Sequence, residues 1–132
     1  GEGNGGIIYP ELHYGRDSLV GVALFLTHLA NKKKTVSALR ASYPEYYMSK
    51  NKIELTPQID VDAILVAMTD KYKNEDITTI DGVKIDFATE WVHLRKSNTE
   101  PIIRIYTEAP SQKEADVLAL RIIDEIKMIA GI

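Results

Sequence analysis

The sequence predicts an α+β fold. It reads as a four-stranded antiparallel sheet with two helices on one face, in the order β-α-β-β-β-α, preceded by a β-α-α segment. Three observations predict it. From about residue 50 onward, short alternating apolar runs recur at strand spacing. Two stretches of helical periodicity flank them, one early and one at the C-terminal end. Turn signals separate consecutive strand runs closely enough that those strands must pair antiparallel.

The elements follow in order. "GEGNGGIIYPE" reads as a glycine loop feeding a short strand that Pro10 stops. Asp17 suits an N-cap. Ser18 to Asn31 is apolar nearly all round, which predicts a helix buried on several sides, with His28 packed inside it or at an interface. Lys32, Lys33 and Lys34 stand at its C-terminal end, where the helix dipole favours cations. Thr35 caps a short helix, "VSALRASY". These first ~48 residues cannot close a core alone, because the apolar helix has too few partners. "YPEYYMSKNK" reads as a linker.

"KIELT" is then a short strand. The helix after Asp60 places Val61, Ile64, Leu65, Met68 and Tyr72 on one stripe, and Asp60 to Asp62 is explained by capping. In "ITTIDGVKIDF", Asp81-Gly82 is a hairpin-type turn signal and Val83, Ile85 and Phe87 alternate after it. "EWVHLRKS" and "PIIRIYTEA" are strands on either side of "SNTEP". Trp91 and His93 share one face of the first, where packing is expected of them. Ser111 and Glu114 are spaced as a capping box. The last helix carries the stripe Ala115, Leu118, Ala119, Ile122, Ile123, Ile126 and Ile129.

Composition narrows the function. The chain has 132 residues and a net charge of −3, which argues against a broad basic surface for nucleic acid. It contains no Cys, so disulfides and thiolate metal sites are excluded, and the lack of Cys fits the cytosol. No apolar run reaches membrane-spanning length, and no secretory leader is evident. His13, His28 and His93 show no ligand-like spacing. The chain opens inside a glycine-rich loop without Met, as expected of a piece cut from a longer protein.

The loop "RKSNTEPIIR" carries the chemistry. Its backbone N–H groups are expected to converge into an anion-binding concavity. Arg95 offers a planar fork to phosphate oxygens. Ser97 and Thr99 offer hydroxyls, and Asn98 offers an amide or tolerates a left-handed backbone. Arg104 leaves the apolar face of the next strand and is a weaker candidate. The competing reading is a well-satisfied hairpin turn with Arg95 in a surface ion pair.

This loop resembles the C-terminal phosphate-binding signature of the α-D-phosphohexomutases, Arg-X-Ser-Gly-Thr-X-Pro. Arg95, Ser97, Thr99 and Pro101 match it, and Asn98 stands for the glycine. "DGVKIDF" upstream and "IIRIYTEA" downstream are similar as well. "GEGNGG" resembles the family's sugar-recognition loop, commonly Gly-Glu-X-Ser-Gly-His. Glu2 is retained, Asn4 replaces the serine and Gly6 replaces the histidine. The resemblance covers essentially all of the chain.

The resemblance implies a four-domain enzyme of the cytoplasm that interconverts hexose 1-phosphates and 6-phosphates of glucose, mannose or glucosamine. The reaction would run through a phosphoserine and a bisphosphorylated sugar. Mg²⁺, held by an aspartate-rich loop of another domain, would assist. Residues 1–48 would be the C-terminal part of the third, α/β, sugar-recognition domain, and 49–132 the phosphate-binding fourth domain. Arg95, Ser97, Asn98, Thr99 and Arg104 would hold the substrate phosphate, and Glu2 and Asn4 the sugar hydroxyls. The upstream domains of the same polypeptide and a phosphosugar would be its partners, with no nucleic acid and no membrane. No catalytic residue and no metal ligand is expected within these residues. A phosphate- or phosphopeptide-binding module without catalysis, or an interaction domain using its sheet face, are the alternatives.

Overall fold

A computed structural model of the chain describes Gly1 and residues 5–56, 59–97 and 99–132. They form two compact units, Gly1–Pro44 and Glu45–Ile132.

The first unit holds two helices, α1 (Ser18–Lys32) and α2 (Val36–Arg40). Both start where the sequence places a capping side chain. Asp17 Oδ1 accepts the Val20 N–H at 3.0 Å, and Thr35 Oγ1 accepts the Ala38 N–H at 3.2 Å. α1 ends at Lys33, whose φ of 50° is left-handed. One expectation fails in this unit. The strand before Pro10 does not form among the described residues, where only a Tyr9–His13 bridge occurs. A strand exists through its ladder, and no described neighbour supplies one. The apolar helix α1 has no buried residue, and Leu19, Val22, Leu24, Phe25 and Leu26 are exposed. His28 is likewise exposed, its Nε2 3.0 Å from the Tyr43 hydroxyl.

The second unit runs β1 (Tyr47–Glu54), α3 (Val61–Lys71), β2 (Asp76–Thr78), β3 (Val83–Asp86), β4 (Trp91–Lys96), β5 (Ile102–Ala109) and α4 (Gln112–Ala130). The strands make one antiparallel sheet in the order β1-β5-β4-β3-β2. The sheet has five strands rather than four because the Asp81-Gly82 turn splits "ITTIDGVKIDF" into β2 and β3, with Gly82 at φ +81°. β1 also begins at Tyr47, inside the expected linker, because pairing with β5 supplies its backbone partners from Tyr47 to Glu54.

Both helices cover one face of this sheet. Ile53, Ile85, Val92, Leu94, Ile103 and Ile105 meet Ile64 and Met68 of α3 and Leu118, Ile122 and Ile126 of α4 in a single core. Within the expected α4 stripe, only Ile129 is exposed, at 41%. Asp60 caps α3 through the N–H groups of Asp62 and Ala63. Ser111 caps α4, accepting the Glu114 N–H at 3.2 Å while donating its hydroxyl to the Glu114 carboxylate at 2.8 Å. The buried Thr107 ties β5 to α4, donating to the Ala115 carbonyl at 2.7 Å. Tyr72, at the end of α3, donates its hydroxyl to Glu125 of α4.

α3 and α4 do not cover the opposite face of the sheet, and alternation sends most of the strands' charged side chains there. The strand register lines up Lys52, Arg104 and Arg95 across β1, β5 and β4, and next to them Lys50, Tyr106, His93 and Lys84. Trp91 belongs to this face, not to the core. It is half-buried, it donates Nε1–H to Glu108 at 3.0 Å, and the Lys84 ammonium lies 5.2 Å from its ring centre.

Candidate functional site

The β4–β5 connection is held at both ends. The Ser97 N–H donates to the Ile102 carbonyl at 3.1 Å, and the Leu55 N–H donates to the Pro101 carbonyl at 2.8 Å. These bonds carry the ladder past the last strand residues and fix where the loop leaves the sheet. Ser97, 9% exposed, is one of the few buried polar residues. Its Oγ lies 3.4 Å from Thr99 Oγ1, so the two hydroxyls face one another across the bend.

Beneath the loop, Arg95 of β4 stands directly opposite Arg104 of β5. Like charges opposite one another on a sheet are unfavourable. The cost is reduced on one side, where Asp81 Oδ2 lies 3.0 Å from Arg95 Nη2. Arg104 has no ion pair among the described residues. Together Arg95, Lys96, Ser97, Thr99 and Arg104 line a cavity of about 210 Å³. Two guanidinium groups and two hydroxyls thus line one small space, and charge-assisted donors of this kind suit a multivalent oxyanion better than neutral ones do.

Four of the five expected phosphate ligands therefore come together, Arg95, Ser97, Thr99 and Arg104. Asn98 lies outside the described residues, as do Glu2 and Asn4 of the expected sugar loop. Near that loop, Gly1, Gly6, Ile8 and Arg16 line a hollow of about 230 Å³. One expectation is corrected. The loop's N–H groups do not all converge on an anion, because Ser97 N–H serves the ladder and Thr99 N–H points to Ser97 Oγ at 3.4 Å.

The sequence did not reveal Lys96, Asp62 or Asp81 as members of this neighbourhood. Lys96 lines the cavity, but its ammonium also pairs with Asp62 of α3 at 2.6 Å. Asp81 read only as a turn former, and its reach to Arg95 depends on where the hairpin packs.

Comparison with known proteins places this loop in context. The model of the phosphoglucomutase/phosphomannomutase C-terminal domain matches residues 29–125, and that of the alpha/beta/alpha domain III matches residues 1–47. The chain belongs to the phosphoglucomutase/phosphomannomutase family. A phosphoglucosamine/phosphogalactosamine mutase of Sulfurisphaera tokodaii is 39% identical over 97% of this chain and 28% of its own length. A phosphoglucomutase/phosphomannomutase of Thermococcus kodakarensis is 39% identical over 87% of this chain and 25% of its own length. The chain thus spans little more than a quarter of these relatives. A solved phosphoglucomutase/phosphomannomutase family structure from Burkholderia thailandensis superposes with a TM-score of 0.66 at 22% identity, over 97% of this chain and 27% of that one. That likeness speaks for the fold, and the fold is the α+β arrangement the sequence predicts. The family resemblance read from "RKSNTEP" and "GEGNGG" is thereby established, for the C-terminal portion of the mutases.

Proposed function

We propose that this chain is the substrate-phosphate clamp, with part of the sugar-recognition domain, of a phosphohexomutase. Residues 1–48 would close the third domain and 49–132 form the fourth. The exposed apolar flanks of α1 support the first assignment, since upstream segments of the same polypeptide would cover them. The single observation that carries the proposal is the cavity lined by Arg95, Ser97, Thr99 and Arg104 in a loop matching the family's phosphate signature.

The full-length enzyme would interconvert hexose or hexosamine 1- and 6-phosphates through a phosphoserine and a bisphosphorylated sugar, in the cytoplasm. The role of these residues is orientation. Arg95 and Arg104 neutralise the phosphate that does not react, and the Ser97 and Thr99 hydroxyls direct its oxygens. Holding that end fixes the sugar while the other end reacts, which removes orientational entropy from the barrier. Asn98, Glu2 and Asn4 would complete the contacts. Mg²⁺ would be held by an upstream aspartate-rich loop. Among the described residues no three His, Asp or Glu side chains gather to hold a metal.

Titration of the chain with glucose 1-phosphate, followed by amide shifts in ¹H–¹⁵N spectra, tests the clamp. Shifts are expected at Ser97 to Glu100 and at the guanidinium groups of Arg95 and Arg104. Shifts confined to other regions would overturn the assignment. In a turnover assay the isolated chain is expected to be inactive. A substrate panel on the full-length protein would identify the sugar.

A further inference from the structure

The turn that splits β2 from β3 does more than reverse the chain. It is fixed against β4 at three points. Gly82 sits so close that a Cβ there would lie 2.1 Å from the Leu94 carbonyl oxygen. The His93 ring donates from Nε2 to the Asp81 carbonyl at 2.6 Å; a carbonyl only accepts, so this nitrogen carries the proton. The Asp81 carboxylate reaches Arg95 Nη2 at 3.0 Å. The backbone of Asp81 is thus anchored before its carboxylate pairs, which lowers on the Asp81 side the entropic cost that weakens most exposed ion pairs.

From this geometry we infer that Asp81 is a positioning residue for the clamp. Resting on the proposal that the Arg95 loop binds phosphate, it assigns Asp81 the task of holding one edge of the Arg95 guanidinium. The remaining donors stay aimed at the cavity shared with Ser97, Thr99 and Arg104. A guanidinium has five N–H donors in a rigid fork, so engaging Nη2 leaves others for an oxyanion while it removes rotational freedom. The carboxylate also relieves the repulsion between Arg95 and Arg104 across the strand pair. His93 acts one step further back, by fixing the backbone from which Asp81 reaches.

The sign of one substitution separates this role from simple electrostatics. Asp81→Asn removes a negative charge beside an anion site. If only the local field mattered, phosphate would bind more tightly, and more so at low salt. If orientation matters, phosphate binds more weakly, and the loss persists at high salt. The experiment titrates the 132-residue chain, wild type, Asp81→Asn, Asp81→Glu and His93→Phe, with inorganic phosphate at low and high ionic strength. It follows the Arg95 Nε–H resonance and the Ser97 to Glu100 amides. Expected are an affinity about threefold to fivefold lower for Asp81→Asn at both salts, the range an exposed pair can supply. The free-state Arg95 Nε–H signal should broaden or shift toward that of an unpaired guanidinium. Partial recovery is expected in Asp81→Glu, and an intermediate loss in His93→Phe. A wild type whose loop ignores phosphate would overturn the clamp itself. A wild type that binds, with Asp81→Asn equal or tighter at high salt, would leave the clamp and overturn the positioning role. Unchanged amide positions in α4 and β1 distinguish either result from a variant that has failed to fold.

Discussion

Gly82→Ala is expected to be among the most damaging small substitutions in the second unit. Two costs add. Gly82 has φ +81°, in the left-handed region where a Cβ costs roughly 1–2 kcal/mol. The added methyl would also lie 2.1 Å from the Leu94 carbonyl oxygen and 3.2 Å from the Arg95 Cα. Ordinary carbon–oxygen contact is more than an ångström longer, and the obstructing atoms are backbone. No rotamer change relieves them, so the hairpin must lift from β4, at about the 1–3 kcal/mol of an overpacked site. The total, about 2–5 kcal/mol, is a large share of a small domain's stability. Gly131 provides the control, because its φ is +73° and nothing lies within 4 Å of its Cβ position. Gly131→Ala should therefore cost only the conformational part. Urea unfolding of both variants, read by far-ultraviolet circular dichroism, measures the difference. Equal costs at the two glycines would refute the claim that the turn is pressed against β4, and the anchoring of Asp81 with it.

Other outcomes follow from the same contacts. Arg104→Met, which keeps much of the side-chain bulk, should lower phosphate affinity about tenfold, the low end for a hydrogen bond to a charged group. Isothermal titration calorimetry checks this, with Arg104→Lys expected to recover only part of the loss because a point charge replaces a fork. Thr107→Val should lower stability by about 1 kcal/mol by losing the bond to the Ala115 carbonyl, with no effect on phosphate binding. Tyr72→Phe bears on alkaline stability. Burial and then the Glu125 carboxylate push the Tyr72 phenol up to about 12 from 10.0. The folded state holds this proton more tightly than the unfolded chain does. The stabilisation is thus fully present below pH 10 and is lost as pH rises toward 12. The gap in stability between wild type and Tyr72→Phe should narrow over that window and stay constant below it.

The sequence by itself determined the helices, their caps and the loop. Asp17, Thr35, Asp60 and Ser111 were readable because a cap is a contact between residues two or three apart. The stripes of α3 and α4 were readable because burial against a single sheet face imposes one period along the chain. The Arg95 to Pro101 motif was readable because its donors lie within one short loop. Tertiary structure alone decided what depends on neighbours distant in sequence. β1 begins at Tyr47 because β5 pairs with residues whose own pattern reads as a linker. Trp91 stands on the open face because strand alternation says which residues share a side, but not which side the helices cover. Arg95 and Arg104 meet through register, and Asp81 joins them because a glycine lets one turn settle against the backbone of β4. Local periodicity records each segment's own burial. The charges that share a cavity are chosen by how the strands pair, and no short window of sequence contains that information.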